Sequence, residues 1–140
     1  VKRRTLRGQL TDLVPKRLIV DDGRLTSGYR IVSFQVWPDF DNDDSVFATL
    51  GTQYDMDPTA NAGDNRQIGW AIGSVDATGT NRGGQMWSVL DPDHLVIMDL
   101  YILSNRQTTV NYLVEIEPVD LTNDQTILTL IKERSQDDLR

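Results

Sequence analysis

The stretch DPDHLVIMDLYI, residues 91–102, decides how this chain is read. It holds the only histidine, His94, between Asp91, Asp93 and Asp99. Two readings compete: a metal or proton-transfer site, or a turn that leads into a buried strand. As a strand, it would place Leu95, Ile97, Asp99 and Tyr101 on one face and Val96, Met98, Leu100 and Ile102 on the other. His94 and Asp99 then lie on opposite faces and do not converge. A transition-metal site draws on three or four converging ligands, usually with more than one His or Cys, and this chain has one His and no Cys. Asp91-Pro92-Asp93 is turn chemistry, in which a side chain bonds backbone N–H groups just ahead of it. The expectation is therefore a turn and then a strand with Val96, Met98, Leu100 and Ile102 in the core, with no metal at His94.

Working outward, the same alternation recurs. KRLIV (16–20) reads as a short strand ended by Asp21-Asp22-Gly23, a hairpin-type turn that would return the chain into YRIVSFQVW (29–37). There Arg30, Val32, Phe34 and Val36 alternate with Tyr29, Ile31, Ser33, Gln35 and Trp37, and hydrophobes on both faces point to an inner strand. SVFATLGT (45–52) places Val46, Ala48 and Leu50 on one face, and RQIGWAIGSV (66–75) contributes Ile68, Trp70 and Ile72. QMWSVL (85–90), HLVIMDLYIL (94–103) and TVNYLVEIE (109–117) complete about seven strands separated by Gly, Asn, Asp and Pro clusters. The expected fold is mainly β, an antiparallel β-sandwich, with the jelly-roll among the windings open to it. The period changes near the end. Thr122 and Gln125 form a capping-box pattern, and Ile127, Leu130 and Ile131 make one apolar stripe. Lys132 and Arg134 sit where the helix dipole favours positive charge, so one amphipathic helix is expected from about Asn123 to about Gln136.

At 140 residues the chain fits one domain, long enough to bury roughly two thirds of its unfolded surface. A basic arm over 1–12 and a single sandwich domain over 13–140, including the helix, is the expected division. Without cysteine there is no disulfide framework, thiolate metal site or cysteine nucleophile. No run approaches the roughly 18 apolar residues of a membrane span, and no signal-like segment opens the chain; a soluble protein is expected. The net charge of −7 is polarised: residues 1–30 carry eight basic and three acidic side chains, and the other 110 carry six and eighteen. An acidic body makes nucleic acid an unlikely partner. Opposite ends suit contact between copies instead. Lys2, Arg3, Arg4 and Arg7 are the candidate partner-binding residues, on an arm expected to reach outward toward an acidic protein surface.

Other candidates are weaker. The run PDFDNDDS (38–45) offers Asp39, Asp41, Asp43 and Asp44 as calcium ligands, but an EF-hand loop begun at Asp41 would have Val46 and Thr52 where Gly and Glu belong. A solvated turn is expected there. Nucleophilic catalysis needs a base beside a serine or threonine, His94 is the sole imidazole, and no G-x-S-x-G elbow accompanies it. No enzyme activity and no cofactor are expected. Trp37, Trp70 and Trp87 fit either a core or subunit interface, the default for large aromatics, or a sugar-stacking platform. Arg82-Gly83-Gly84 reads as a turn, and the polar loops 53–65 and 76–84 are places for a binding site.

VKRRTLRGQLTDL, KRLIVDDGRLTSGYRI, GDNRQIGWA, DPDHLVIMDLYI and NYLVEIEPVDLTNDQTILTLIKERSQDD resemble a group of small proteins encoded by bacteriophages sampled from seawater. The similarity spans most of the chain, is weakest at 53–65 and 76–84, and has IKERSQDD as its most distinctive piece. What the resemblance implies is a virion structural role: a capsid-associated protein such as a head decoration or cement protein, or a capsid-lattice subunit. The partners would be copies of itself, as a homo-oligomer or lattice subunit, and other virion proteins. The rival reading is a carbohydrate- or receptor-binding module of a virion tail or fibre.

Overall fold

A computed structural model describes residues 3–19, 27–39, 45–74, 85–97, 99–104 and 109–120. Nine strands lie in these residues: β1 Arg4–Leu10, β2 Lys16–Ile19, β3 Ser27–Pro38, β4 Ser45–Gly51, β5 Gln67–Ser74, β6 Gln85–Leu90, β7 Leu95–Val96, β8 Asp99–Ser104 and β9 Val110–Asp120. They form two sheets, ordered β1-β9-β3-β7 and β2-β8-β4-β5-β6. With β6 set aside, the pairs nest: β1 beside β9, β2 beside β8, β3 beside β7, β4 beside β5, all antiparallel. A long hairpin rolled up on itself gives this nesting, which is the jelly-roll winding. β6 is a strand added outside that frame, and it ends the second sheet among the described residues.

The inner faces meet in a core of Phe34, Val36, Val46, Leu50, Val96, Leu100, Ile102, Val114 and Ile116, all at most 1 % exposed. The strand in DPDHLVIMDLYI is broken in two, because the chain passes there from the first sheet, where β7 pairs with β3, to the second, where β8 pairs with β2 and β4. Val96, Leu100 and Ile102 keep the expected inward parity, and Ile97 at the crossing is buried too; Met98, expected with them, lies outside the described residues. Ahead of β7 the Asp93 backbone N–H donates to Asp91 Oδ1 at 3.0 Å, the expected turn bond. His94 is itself buried and engaged.

Several expectations are corrected. KRLIV and YRIVSFQVW do not form a hairpin: β2 pairs with β8 in one sheet, and β3 with β9 and β7 in the other. A local turn signal loses here to layer burial, which sets the inner face of each strand against the opposite sheet. The segment expected as an outward-reaching arm is largely β1, paired along its length with β9 from Arg4 opposite Ile116 to Leu10 opposite Val110. Leu6 and Leu10 supply the reason, since both pack on or in the core. In β3 the alternation switches at a bulge between Ile31 and Ser33, so Tyr29 and Ile31 are buried before it and Phe34 and Val36 after it. That one extra residue is why both faces of YRIVSFQVW read as hydrophobic. The helix expected over 123–136, Asp41, Asp43 and Asp44 of the acidic run, and Arg82-Gly83-Gly84 lie outside the described residues.

β5 is reversed relative to a simple hydrophobic reading. Its inward residues after Ile68 are the small Gly69, Ala71 and Gly73, which are buried, while Trp70 is half-buried and Ile72 is exposed. A Cβ on Gly73 would overlap the carbonyl of Val36 on β3, so the two sheets touch backbone to backbone at this point. Gly73→Ala should therefore lose roughly 3 kcal/mol of unfolding free energy in urea titrations. A Cβ on Gly69 first meets the tip of the Leu90 side chain, at 2.8 Å, which can swing aside; Gly69→Ala should lose only about 1 kcal/mol. Equal losses from the two variants would show that backbone contact is not what singles out Gly73.

Candidate functional site

Because β5 turns its small residues inward, its large ones stand on the outer face of the second sheet. Register carries them into two rows. Phe47 lies opposite Ile72, and Ile72 opposite Trp87; Thr49 lies opposite Trp70, and Trp70 opposite Val89. Leu103 of β8, paired with Thr49, continues the second row. Trp87 is 54 % exposed, Val89 44 % and Ile72 38 %. Between the rows and the loop beside them runs an open groove of about 340 Å3, lined by Phe47, Ala60, Ala62, Trp70, Trp87 and Val89. None of these six side chains is charged. These six side chains can make apolar and aromatic contacts, and none of them is a general acid, base or nucleophile.

One wall of the groove is the loop 52–66, which is ordered by its own polar groups. Its anchor is the amide of Gln67, at the start of β5 and 3 % exposed. Gln67 Nε2 donates to the carbonyls of Asp57 at 2.9 Å and Thr59 at 2.7 Å, while Oε1 accepts from the Asn61 backbone N–H and the Trp70 indole N–H, both at 2.8 Å. Every donor and acceptor of that amide is used. Trp70 is thereby held at a fixed angle to the sheet. Below it, the Arg66 guanidinium grips Asp64 through Nε–Oδ1 at 2.9 Å and Nη2–Oδ2 at 3.2 Å, and reaches Asp55 at 3.3 Å. Asp64 and Arg66 are buried, as is Met56, which packs over Gly51.

The carboxylates of this loop serve the loop. Asp57 Oδ1 accepts from the Thr59 backbone N–H and hydroxyl, and Oδ2 from the Asn61 amide. Those bonds, the Thr59 backbone bond foremost, hold the Asp57 carboxyl below the ordinary aspartate range. Burial pushes the Asp64 carboxyl up, but the Arg66 side chain and the backbone N–H groups of Asp57 and Arg66 outweigh it, and the net direction is down. Among the described residues no three His, Cys, Asp or Glu side chains group as metal ligands.

The expected site residues are scattered. Lys2 lies outside the described residues. Arg3 reaches Glu115 of its own chain at 3.4 Å. Arg4, on the core-side parity of β1, lies 5.8 Å over the Tyr29 ring, whereas Arg7 sits on the outer face in a groove with Gln9, Trp37 and Asn111. The basic residues thus divide between two faces of an edge strand. The tryptophans divide as well: Trp70 and Trp87 share one groove, and Trp37 lies on the opposite sheet. Trp37 and Trp70 are half-buried and Trp87 is exposed, so of the core-or-interface expectation the core half does not hold. Gln67, Asp64 and Arg66 carry no motif that would single them out in sequence. The only signal is the density of Asp, Asn, Gly and Thr in 52–66, the residue types that bond their own backbone.

Gln67→Leu keeps the size of the side chain and strands two carbonyls and two N–H groups, so it should cost roughly 3 kcal/mol and shift the near-UV circular dichroism of Trp70. The acid limb follows from the two carboxyls. Both ionise below the ordinary value of 3.8 in the folded chain, so their stabilisation is complete above that pH and is lost as pH falls through the folded values. Protection factors of amides in 52–66, taken against the intrinsic exchange rate at each pH, should therefore fall below about pH 4 and stay flat between about pH 5 and 8 with respect to these groups.

Set against protein-family models, curated proteins and solved structures, the chain has no match.

Proposed function

We propose that this protein is a structural subunit of a bacteriophage virion, attached to the capsid through repeated contacts with copies of itself and with other virion proteins. The observation that carries the assembly part is the uncharged apolar face formed by Phe47, Trp70, Ile72, Trp87 and Val89 on a chain of net charge −7. Contiguous exposed apolar surface of this kind marks interaction sites, and a groove without charge suits protein contact better than catalysis or phosphate binding. The virion part rests on the resemblance of the sequence segments quoted above. Jelly-roll domains serve in viral capsids and in lectins alike, which supports the reading at the level of fold alone.

The same ambiguity of fold gives the second reading its footing. On the outer face of the first sheet, Gln9, Asn111 and Trp37 lie in one row across β1, β9 and β3, with Arg7 alongside. Gln9 Nε2 donates to Asn111 Oδ1 at 2.9 Å. An aromatic plane beside amide groups is a chemistry suited to a sugar ring, and this favours a saccharide-binding module as the alternative.

Mass spectrometry and electron microscopy of purified virions are the direct test, with the protein expected in many copies on the capsid surface; absence from the particle would remove the virion role. Deleting residues 1–8 would not probe the arginines cleanly, because it also removes most of β1. Replacing Arg3, Arg4 and Arg7 by Gln keeps the strand and should weaken incorporation in low salt if they meet acidic protein surface. A glycan-array signal abolished by Trp37→Ala would replace this reading with the saccharide one.

A further inference from the structure

We infer that β6 is a pairing edge, on which a second copy of this chain adds its own β6 antiparallel about a twofold axis through Ser88. The inference deepens the assembly reading and rests on it, by naming the surface and the occupant.

Among the described residues the two sheet orders end on four strands, β1 and β7 in the first and β2 and β6 in the second. Three carry the devices that keep an edge from pairing with another chain. β1 bears Arg4 and Arg7, β2 bears Lys16 and Arg17, and β7 is two residues long. β6 is QMWSVL, without charge and without proline. It is bonded to β5 on one side, it lies outside the jelly-roll frame, and it exposes Met86 at 57 % and Trp87 at 54 %.

Charge selects the occupant. A basic or acidic partner strand would find nothing on β6 to pair with. Two acidic copies repel except where both present a neutral surface, and a twofold contact sets the same patch against itself. β6 and the rows behind it form such a patch. Geometry then selects the register. Residues directly opposite in an antiparallel pair share a face, so only residues of equal parity can face each other. With Ser88 opposite Ser88 of the second copy, Trp87 faces Val89 and Met86 faces Leu90, and each apolar residue meets another. Centring on Trp87 would instead set Met86 against Ser88 and Val89 against Gln85. In the first register the row Phe47–Ile72–Trp87 runs on into Val89–Trp70–Thr49 of the second copy, and the two second sheets become one.

The chain has no cysteine, which makes a single introduced thiol diagnostic. Full-length Ser88→Cys treated with a short bis-maleimide should cross-link as a dimer, while Gln9→Cys on the guarded β1 edge should not. Sedimentation equilibrium should show a dimer that Val89→Lys weakens by about a hundredfold or more, since it sets a lysine against Trp87 in each half of the contact. Circular dichroism checks that Val89→Lys folds, and the near-isosteric Ser88→Cys keeps the test open if it does not. A protein that stays monomeric at every concentration, or an oligomer that neither cross-links at residue 88 nor responds to Val89→Lys, overturns the inference. So does pairing of β6 only with a different virion protein. A cross-linked dimer absent from virions would sink the virion role and leave the edge, whereas incorporation of a monomer that does not cross-link would sink the edge and leave the role.

Discussion

The close approach of Gly73 to the carbonyl of Val36 governs how volume is shared between the two sheets. Sheets packed through side chains stand about 10 Å apart, and here β3 lies on β5 with no side chain between them. Beyond Ile68 the inner face of β5 can contribute little to the core, because Gly69, Ala71 and Gly73 have almost nothing to contribute. Filling falls to Phe34, Leu50, Leu100, Ile102, Val114 and Ile116, all on other strands and all fully buried. Strand alternation does the rest. If the inward residues of β5 are small, its large residues face out, so Trp70 and Ile72 stand on the surface as a consequence of the same contact that closes the sandwich. The candidate site and the tightest point of the core are two sides of one strand.

This coupling explains what was legible in the sequence and what was not. Strand positions were readable wherever alternation and burial agree: Val46, Ala48 and Leu50, or Val96, Leu100 and Ile102, sit where their parity predicts. Alternation fails at two kinds of place. A bulge, as between Ile31 and Ser33, flips parity in mid-strand without leaving any trace in residue type. A close approach of backbones, as at Gly73, makes glycine the inward residue and tryptophan the outward one, the inverse of the usual assignment. Pairing was less legible still. The Asp-Asp-Gly turn after KRLIV suggested a local hairpin, but in a jelly-roll β2 and β3 belong to different sheets, and nothing short of the whole winding says so.

The site was partly visible and wrongly grouped. The tryptophans stood out, yet which of them share a surface is set by register: Trp87 and Trp70 are brought together because β6 and β5 pair, and Trp37 is carried to the other sheet by β3. The basic start of the chain stands out too, by its charge. Leu6 and Leu10 alternate with Gly8 on the core side of β1, a short strand signal that Lys2, Arg3, Arg4 and Arg7 masked. The composition of the polar loop suggests a place for a site, but its role in the structure is mechanical. The bonds of Asp57 and Asn61 tie the loop to itself and to Gln67, which also holds Trp70, so the loop acts as a shoulder for the groove.

That mechanical role bears on how an uncharged face works on an acidic chain. Association costs the freedom of every side chain that must be frozen at the contact. Trp70 is already held through Gln67, and the loop beside it is braced by a buried Asp64–Arg66 pair, so part of this cost is met on folding. A loosely held aromatic row would present the same area with less net gain. The acidic remainder of the chain works in the other direction, keeping copies apart wherever charge meets charge. In the proposed assembly, contact is favoured chiefly where charge is missing, on the rows led by Trp87 and Val89, and a tryptophan that does not have to be ordered twice lowers its cost there.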